Sequence, residues 1–286
     1  MTAVFQRVLL ILERANQGAE MALHTATELA VRHGTPLLGL YVEDLNLLRS
    51  AALPGSTEIR LSTAMSSPLS DRLLERQLDD EAMRLRQLVE AARQRTLQRF
   101  SCSLEVRRGV LAEEVRQTIL PGDLVIVDRS PYRPAFPAAR GAVQAALAVS
   151  TPFTLLLTLD QTSAGRLGVL VDAPDSEIEA LVTAASALDR DDHSSIVVFL
   201  AVPESQRANA QARATAAALR LGRHIEYRPM DPVRAADLER KLGRFHGRAL
   251  VVNRASPFIA SQAGKRFLQS VHIPLYLVTV TGTSDS

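Results

Sequence analysis

The sequence predicts an α/β protein of two tandem open parallel five-stranded sheets, each with helices on both faces. Three observations lead there. Short aliphatic runs alternate with segments of helical periodicity, the order of parallel strands joined by crossover helices. The runs are continuous rather than alternating, as strands buried on both faces require. The whole order also occurs twice in 286 residues, a length that suits two domains.

The first half opens with the strand Val8–Leu12. Residues 17–33 follow at helical spacing (Met21, Ala22, Thr25, Ala26, Leu29, Ala30), with Gly34 as a helix-terminating glycine and Pro36 blocking continuation. Leu37–Val42 is a second strand. Residues 43–68 read as an irregular insertion rich in Ser, Pro and Gly. A long amphipathic helix from about Ser70 to Arg99 carries Leu73, Leu74, Leu78, Leu85, Leu88 and Val89 on its apolar stripe. Then come a strand at Ser103–Arg107, a helix at Leu111–Ile119, a Pro121-Gly122 turn and a strand at Leu124–Val127. A proline-rich loop, a helix at Ala139–Val149 and the strand Phe153–Leu157 close the half.

The second half repeats the series: strand Leu167–Val171, helix Asp175–Leu188, strand Ile196–Val202, helix Glu204–Leu221, strand Ile225–Arg228, helix Val233–Phe245, strand Ala249–Val252, helix Ala260–Val271 and strand Leu275–Val280. The letters repeat with it. Arg7-Val-Leu-Leu-Ile-Leu-Glu13 lies against Arg166-Leu-Gly-Val-Leu-Val-Asp172, with Glu20 opposite Glu179 and Ala26 opposite Ala185 at the same offset. The stretch from Leu124 to Ser130 lies against Leu250 to Ala255. Pro152 and Pro274 each open a last strand. Duplication explains these matches and predicts domains at 1–160, with the insertion at about 43–68, and at 165–281.

Composition narrows the function. Hydrophobic residues make up 47% and charged residues 22%, the balance of a globular chain with a sizeable core. Aromatics are 4% and Trp is absent, so that core is aliphatic. A single cysteine, Cys102, excludes a disulfide framework and a cysteine-rich zinc site and agrees with a reducing cytoplasm. The pI is near 9, but residues 1–160 hold 18 basic and 18 acidic side chains and residues 161–286 hold 15 and 13. Neither half has the excess that nucleic-acid binding demands. The local cluster of Arg223, Arg228, Arg234, Arg240, Lys241, Arg244 and Arg248 reads as a solvated helix face plus strand ends. The apolar run Val8–Leu12 is too short for a signal-peptide core, and no stretch approaches the roughly 20 apolar residues of a spanning helix.

In an open parallel sheet, ligands bind beyond the carboxyl ends of the strands, where strand order reverses. That directs attention to the loops after Leu12, Val42, Val127, Val171, Val202 and Val252. Each half, over nearly the whole chain, resembles the universal stress protein domain. The likeness rests on an aliphatic first strand ending in an acid (Glu13; Asp172 in Val-Asp-Ala-Pro-Asp-Ser), a second strand Leu40-Tyr-Val-Glu43, a Pro-Gly turn before an Asp-Leu-Val-Ile-Val strand, and Thr-Pro or Ile-Pro before the last strand. The resemblance implies a flavodoxin-like, adenine-nucleotide-hydrolase-like sheet and a pseudo-dimer within one chain, with further homodimerisation open. It also implies a stress-related regulatory role through binding of a protein or ligand rather than catalysis.

Nucleotide-binding members of that family carry Gly, two residues, Gly, nine residues, then Gly with Ser or Thr after strand four. Glycines let backbone approach phosphate, and a following helix N-terminus offers N–H donors. Here the first half reads Asp128-Arg129-Ser-Pro through Gly141-Ala142, with Pro131, Pro134 and Pro137 removing donors. The second reads Asn253-Arg254 through Gly264-Lys265, without paired glycines. ATP binding is therefore expected to be weakened or lost and no cofactor required. The alternative is an adenine-nucleotide switch that keeps ATP in one half. The residues at the ligand positions are Glu13, Val42, Asp128, Arg129, Gly141, Asp172, Asn253 and Arg254. Without a phosphate loop, Asp172 and Glu13 read as caps of the helices that follow them, and Arg129 and Arg254 as salt-bridge partners. Gly264-Lys265 has neither the upstream glycine nor the Ser/Thr of a Walker loop. The six histidines show no metal spacing and no Gly-x-Ser-x-Gly elbow is present, so no enzyme is read. The apolar insertion 43–68 reads equally as a lid on its own domain or as a docking surface.

Overall fold

The structure, a computed structural model, describes residues 5–53, 55, 57–60, 65–68, 71–96, 100–128, 153–157, 165–172, 178–189, 195–230 and 235–280. The chain divides into two compact units, Gln6–Val149 and Ser150–Ser286, the latter joined by Met1–Phe5. Ten of the twelve described strands lie in mostly parallel sheet.

In the first unit the order along the chain is β1 (Arg7–Leu12), α1 (Gln17–His33), β2 (Leu37–Asp44), α2 (Leu45–Ala51), β3 (Thr57–Arg60), β4 (Met65–Pro68), α3 (Asp71–Arg95), β5 (Cys102–Gly109), α4 (Leu111–Thr118) and β6 (Asp123–Asp128). Its parallel sheet runs β6-β1-β2-β5. Val8 to Leu12 are all buried, as are Leu124 to Val127, so the central strands face protein on both sides. Helix α1 starts on Asn16, whose side chain accepts from the Ala19 N–H at 2.9 Å. It ends on Gly34 in the left-handed region (φ 63), with Gly34 N–H on Val31 and Thr35 N–H on Ala30. The end strand β5 carries charged side chains, with Glu105 bonded to Arg107 and Arg108 to Glu43, which discourages edge pairing.

The insertion is a correction. The described residues of 43–68 are largely regular: β2 continues to Asp44, whose carboxylate caps α2 through the Asn46 N–H at 2.9 Å, and β3 and β4 pair antiparallel. The helix expected at Ala139–Val149 lies outside the described residues.

The second unit holds β7 (Phe153–Leu157), β8 (Leu167–Val171), α5 (Ile178–Leu188), β9 (Ile196–Leu200), α6 (Glu204–Arg220), β10 (Ile225–Pro229), α7 (Ala235–Gly243), β11 (Ala249–Asn253), α8 (Pro257–Ala260), α9 (Gln262–Ser270) and β12 (Leu275–Val278). Its order is β10-β9-β8-β11-β12-β7. The expectation of one five-stranded parallel sheet per half is corrected here. Phe153–Leu157 forms as predicted, but it pairs antiparallel with β12, Leu155 opposite Tyr276. Phe153 stacks on Tyr276 with ring centroids 6.0 Å apart, and Phe5 meets Phe153 edge-on. The helix expected at Ala260–Val271 is α9, capped by Ser261, and a short helix not expected from the sequence, α8 capped by Ser256, precedes it.

Both units use the same register. Val8 pairs with Leu37 and Leu124; Leu167 pairs with Ile196 and Ala249. Val8 to Leu167 and Leu37 to Ile196 are the same 159-residue step.

The amino ends of the strands are tied by buried ion pairs. Arg7 grips Asp123 and the Thr118 carbonyl at 2.8 Å, while Asp123 also accepts from the Leu120 N–H. In the second unit Asp189 bridges Arg223 at 3.1 Å and Arg248 at 3.0 Å, with side-chain exposures of 1%, 3% and 17%. Arg223 and Arg248 do sit at strand starts, but as clamps rather than on a solvated face.

Two predictions follow from these contacts. Asp189→Ala removes the carboxylate that Arg223 and Arg248 share and is expected to cost about 3–5 kcal/mol in urea unfolding; a loss below about 1 kcal/mol would show that water screens the pair. A fragment beginning at Ser150 should unfold at higher denaturant than one beginning at Thr162, because the latter strips β7 from β12; equal midpoints would refute the pairing.

Candidate functional site

Strand order reverses beside β1 in the first unit, where β2 and β6 flank it, and beside β8 in the second, where β9 and β11 flank it. The carboxyl ends of these pairs are the candidate crevices.

In the first crevice the structure brings Glu13 and Asp128 to the ends of neighbouring strands, since Ile11 pairs with Val127. Glu13 is not the helix cap expected; Asn16 is. The Asp128 carboxylate lies against Gly18, the second residue of α1, where an added Cβ would overlap it. Val42 is buried within β2, two residues short of the strand end at Asp44. Arg129 and Gly141 lie outside the described residues. Tyr41, also buried, has its hydroxyl pKa pushed up to about 12, first by burial and then by the Glu81 and Glu43 carboxylates.

Glu81 was missed by sequence reasoning. It lies on α3, yet its carboxylate accepts from the Ala15 N–H in the loop after β1. The first ten residues of α3 therefore precede the point where it meets the end of β1, a length of about 15 Å. Against them pack Ala51 and Leu48 of α2, on Leu74 and Leu78. This packing is that of a cover on its own unit, although Leu47, Leu53 and Leu73 remain exposed.

The second crevice is organised by Asp172. One of its carboxylate oxygens accepts from the Ser256 hydroxyl and from the Phe258 N–H at 3.0 Å. Its described partners thus lie on the segment after β11, Ser256 and the start of α8, rather than on the helix that follows it in sequence. Ser256 is fully buried and also caps α8 through the Ile259 N–H. Sequence could have flagged it, because Ser-Pro is a cap followed by a helix-opening proline. Asn253 is buried and folds its side chain onto the Ala255 N–H at 3.0 Å, a local Asx turn. Arg254 donates its backbone N–H to the Val278 carbonyl, and its guanidinium to the Thr154 hydroxyl. Burial pulls its pKa below the ordinary arginine value. Gly264 serves packing: a Cβ there would strike the Phe258 carbonyl, and Ser261 accepts its N–H.

Among the described residues, no group of three or more His, Cys, Asp or Glu is arranged to hold a metal ion, and no helix is long and apolar enough to cross a membrane.

No family model and no curated protein matches the chain. Solved structures do match. A universal stress protein from Archaeoglobus fulgidus aligns with a TM-score of 0.65 over 99% of this chain and all of that one, at 10% identity. A Pseudomonas aeruginosa protein assigned to the universal stress proteins aligns with a TM-score of 0.52 over 97% of this chain and 94% of its own, at 16% identity. The cytoplasmic domain of a prokaryotic cation chloride cotransporter gives 0.52 over 98% of each chain, at 10% identity. The chain has the α/β fold of universal stress proteins along its length.

Cys102 offers a check on local burial. Desolvation pushes its thiol up to about 11, against the opposing pull of Arg93. Alkylation at pH 8 should therefore run well below the rate of a free thiol, and reach it on denaturation. A native rate equal to the denatured one would place the thiol in water.

Proposed function

We propose that this chain is a tandem member of the universal stress proteins that regulates through binding rather than catalysis, and that ATP recognition has been lost in both units. The tandem reading is supported by the residue-for-residue identity of strand register in the two units. The functional reading is carried by one observation: Asp172, at the second switch point, already occupies the Ser256 hydroxyl and the Phe258 N–H. A phosphate approaching that loop meets a carboxylate and finds those two donors taken. Asp128 presents a further carboxylate beside α1 in the first unit. The Ser256 hydroxyl that meets Asp172 is fully buried and caps α8, so it is engaged within the fold rather than offered to a substrate; the role we propose is binding of a protein partner in the cytoplasm.

The test is direct. The purified protein is denatured and the supernatant examined for released nucleotide, and ATP is then titrated against the melting temperature. A ligand present at about 100 times its Kd adds about 2.7 kcal/mol to the folded state. Neither released nucleotide nor a melting shift is expected. Bound adenine nucleotide would instead establish the switch, in which one unit keeps ATP.

A further inference from the structure

We infer that each unit closes its own switch point with an internal carboxylate, a latch that excludes anionic ligands from the crevice. This rests on the reading that phosphate recognition has been lost, and names what took its place. In the second unit the latch is Asp172, which follows β8 and bonds Ser256 and Phe258 at the start of α8, after β11. In the first unit the direction reverses: Asp128 leaves β6 and sets its carboxylate against Gly18 in the first turn of α1. That helix has 17 residues, so its positive end favours the charge.

The two arrangements are related by register. Ile11 pairs with Val127, and Leu170 with Val252. Each latch thus starts from one of the two strands flanking a switch point and ends on the segment that follows the other. Bonds to an ionised carboxylate are roughly twice as strong as neutral ones, and the pairing removes both donors from any arriving anion. Glycine at position 18 is part of the device, since any side chain there would displace Asp128.

Native-state hydrogen exchange on the full chain tests this, comparing wild type with Asp172→Ala, Asp172→Asn and Asp128→Ala, with ATP and inorganic phosphate as probes. In Asp172→Ala the Phe258 and Ile259 amides should exchange about tenfold faster or more, with residues 8–12 unchanged. Asp172→Asn keeps an acceptor and the side-chain shape, so it should fall between, and it serves if the alanine variant does not fold. Asp128→Ala should speed exchange at the Gln17 and Gly18 amides, beside which its carboxylate lies, while the Ala19 amide stays held by Asn16. Neither anion should alter wild type, while each latch variant should regain protection at its own released amides when ATP or phosphate is added. Unchanged exchange in Asp172→Ala, or no response of any latch variant to either anion, overturns the latch while leaving the preceding reading standing. Protection of wild type by ATP overturns that reading, and the latch with it.

Discussion

A parallel strand buried on both faces can act only at its ends. That constraint governs this molecule. Val8 to Leu12, Leu167 to Val171 and Ala249 to Asn253 expose almost nothing along their lengths. Every polar side chain that shapes the crevices therefore sits at a strand terminus, in the loop beyond it or on a covering helix. The two ends then diverge in chemistry. Amino ends carry guanidinium–carboxylate clamps, Arg7 with Asp123 and Asp189 with Arg223 and Arg248. Such clamps fix where neighbouring strands begin, and they are costly to break because a buried charge would lose its countercharge. Carboxyl ends carry acids that meet backbone donors and a hydroxyl.

The units share a frame and differ in what they add to it. In the first, the chain leaves β2 into α2, a hairpin and the overhanging start of α3, and Glu81 brings that helix onto the loop after β1. In the second, α6 begins at Glu204, four residues after β9 ends. The first crevice therefore has a wall that the second lacks, and it buries Tyr41 among acids, whereas the second sets Asn253 on the Ala255 N–H and Arg254 on Thr154. Two crevices on one strand frame need not serve one ligand.

Much of this was legible in the sequence. Continuous aliphatic runs gave the strands, and Gly34 and Pro36 gave the end of α1. The shared offset between Glu20 and Glu179 reappears as the 159-residue step in strand register. What escaped was what depends on distant contacts. Phe153–Leu157 announces a buried strand, but five aliphatic residues say nothing of partner or direction, and both are set by Tyr276 and its neighbours. Asp172 reads as a cap of the next helix because capping is local, yet its described partners are 84 and 86 residues away. In the insertion, Asp44 before an apolar stretch was a usable helix signal, masked by the Ser, Pro and Gly around it.

The glycines show why a motif search alone misleads at such a site. A glycine near a switch point invites the reading that backbone must approach phosphate. The physical question is what a Cβ would strike. At Gly18 it would strike the Asp128 carboxylate; at Gly264 it would strike the Phe258 carbonyl, where α9 crosses close to α8. In both places the space belongs to the protein's own oxygen atoms. An oxygen acceptor already lodged there answers the same local need that a phosphate would: it brings negative charge against backbone that no side chain shields. The lack of paired glycines and the presence of internal carboxylates fit one another, because a crevice without a ligand's anion must supply one or leave buried donors unpaired.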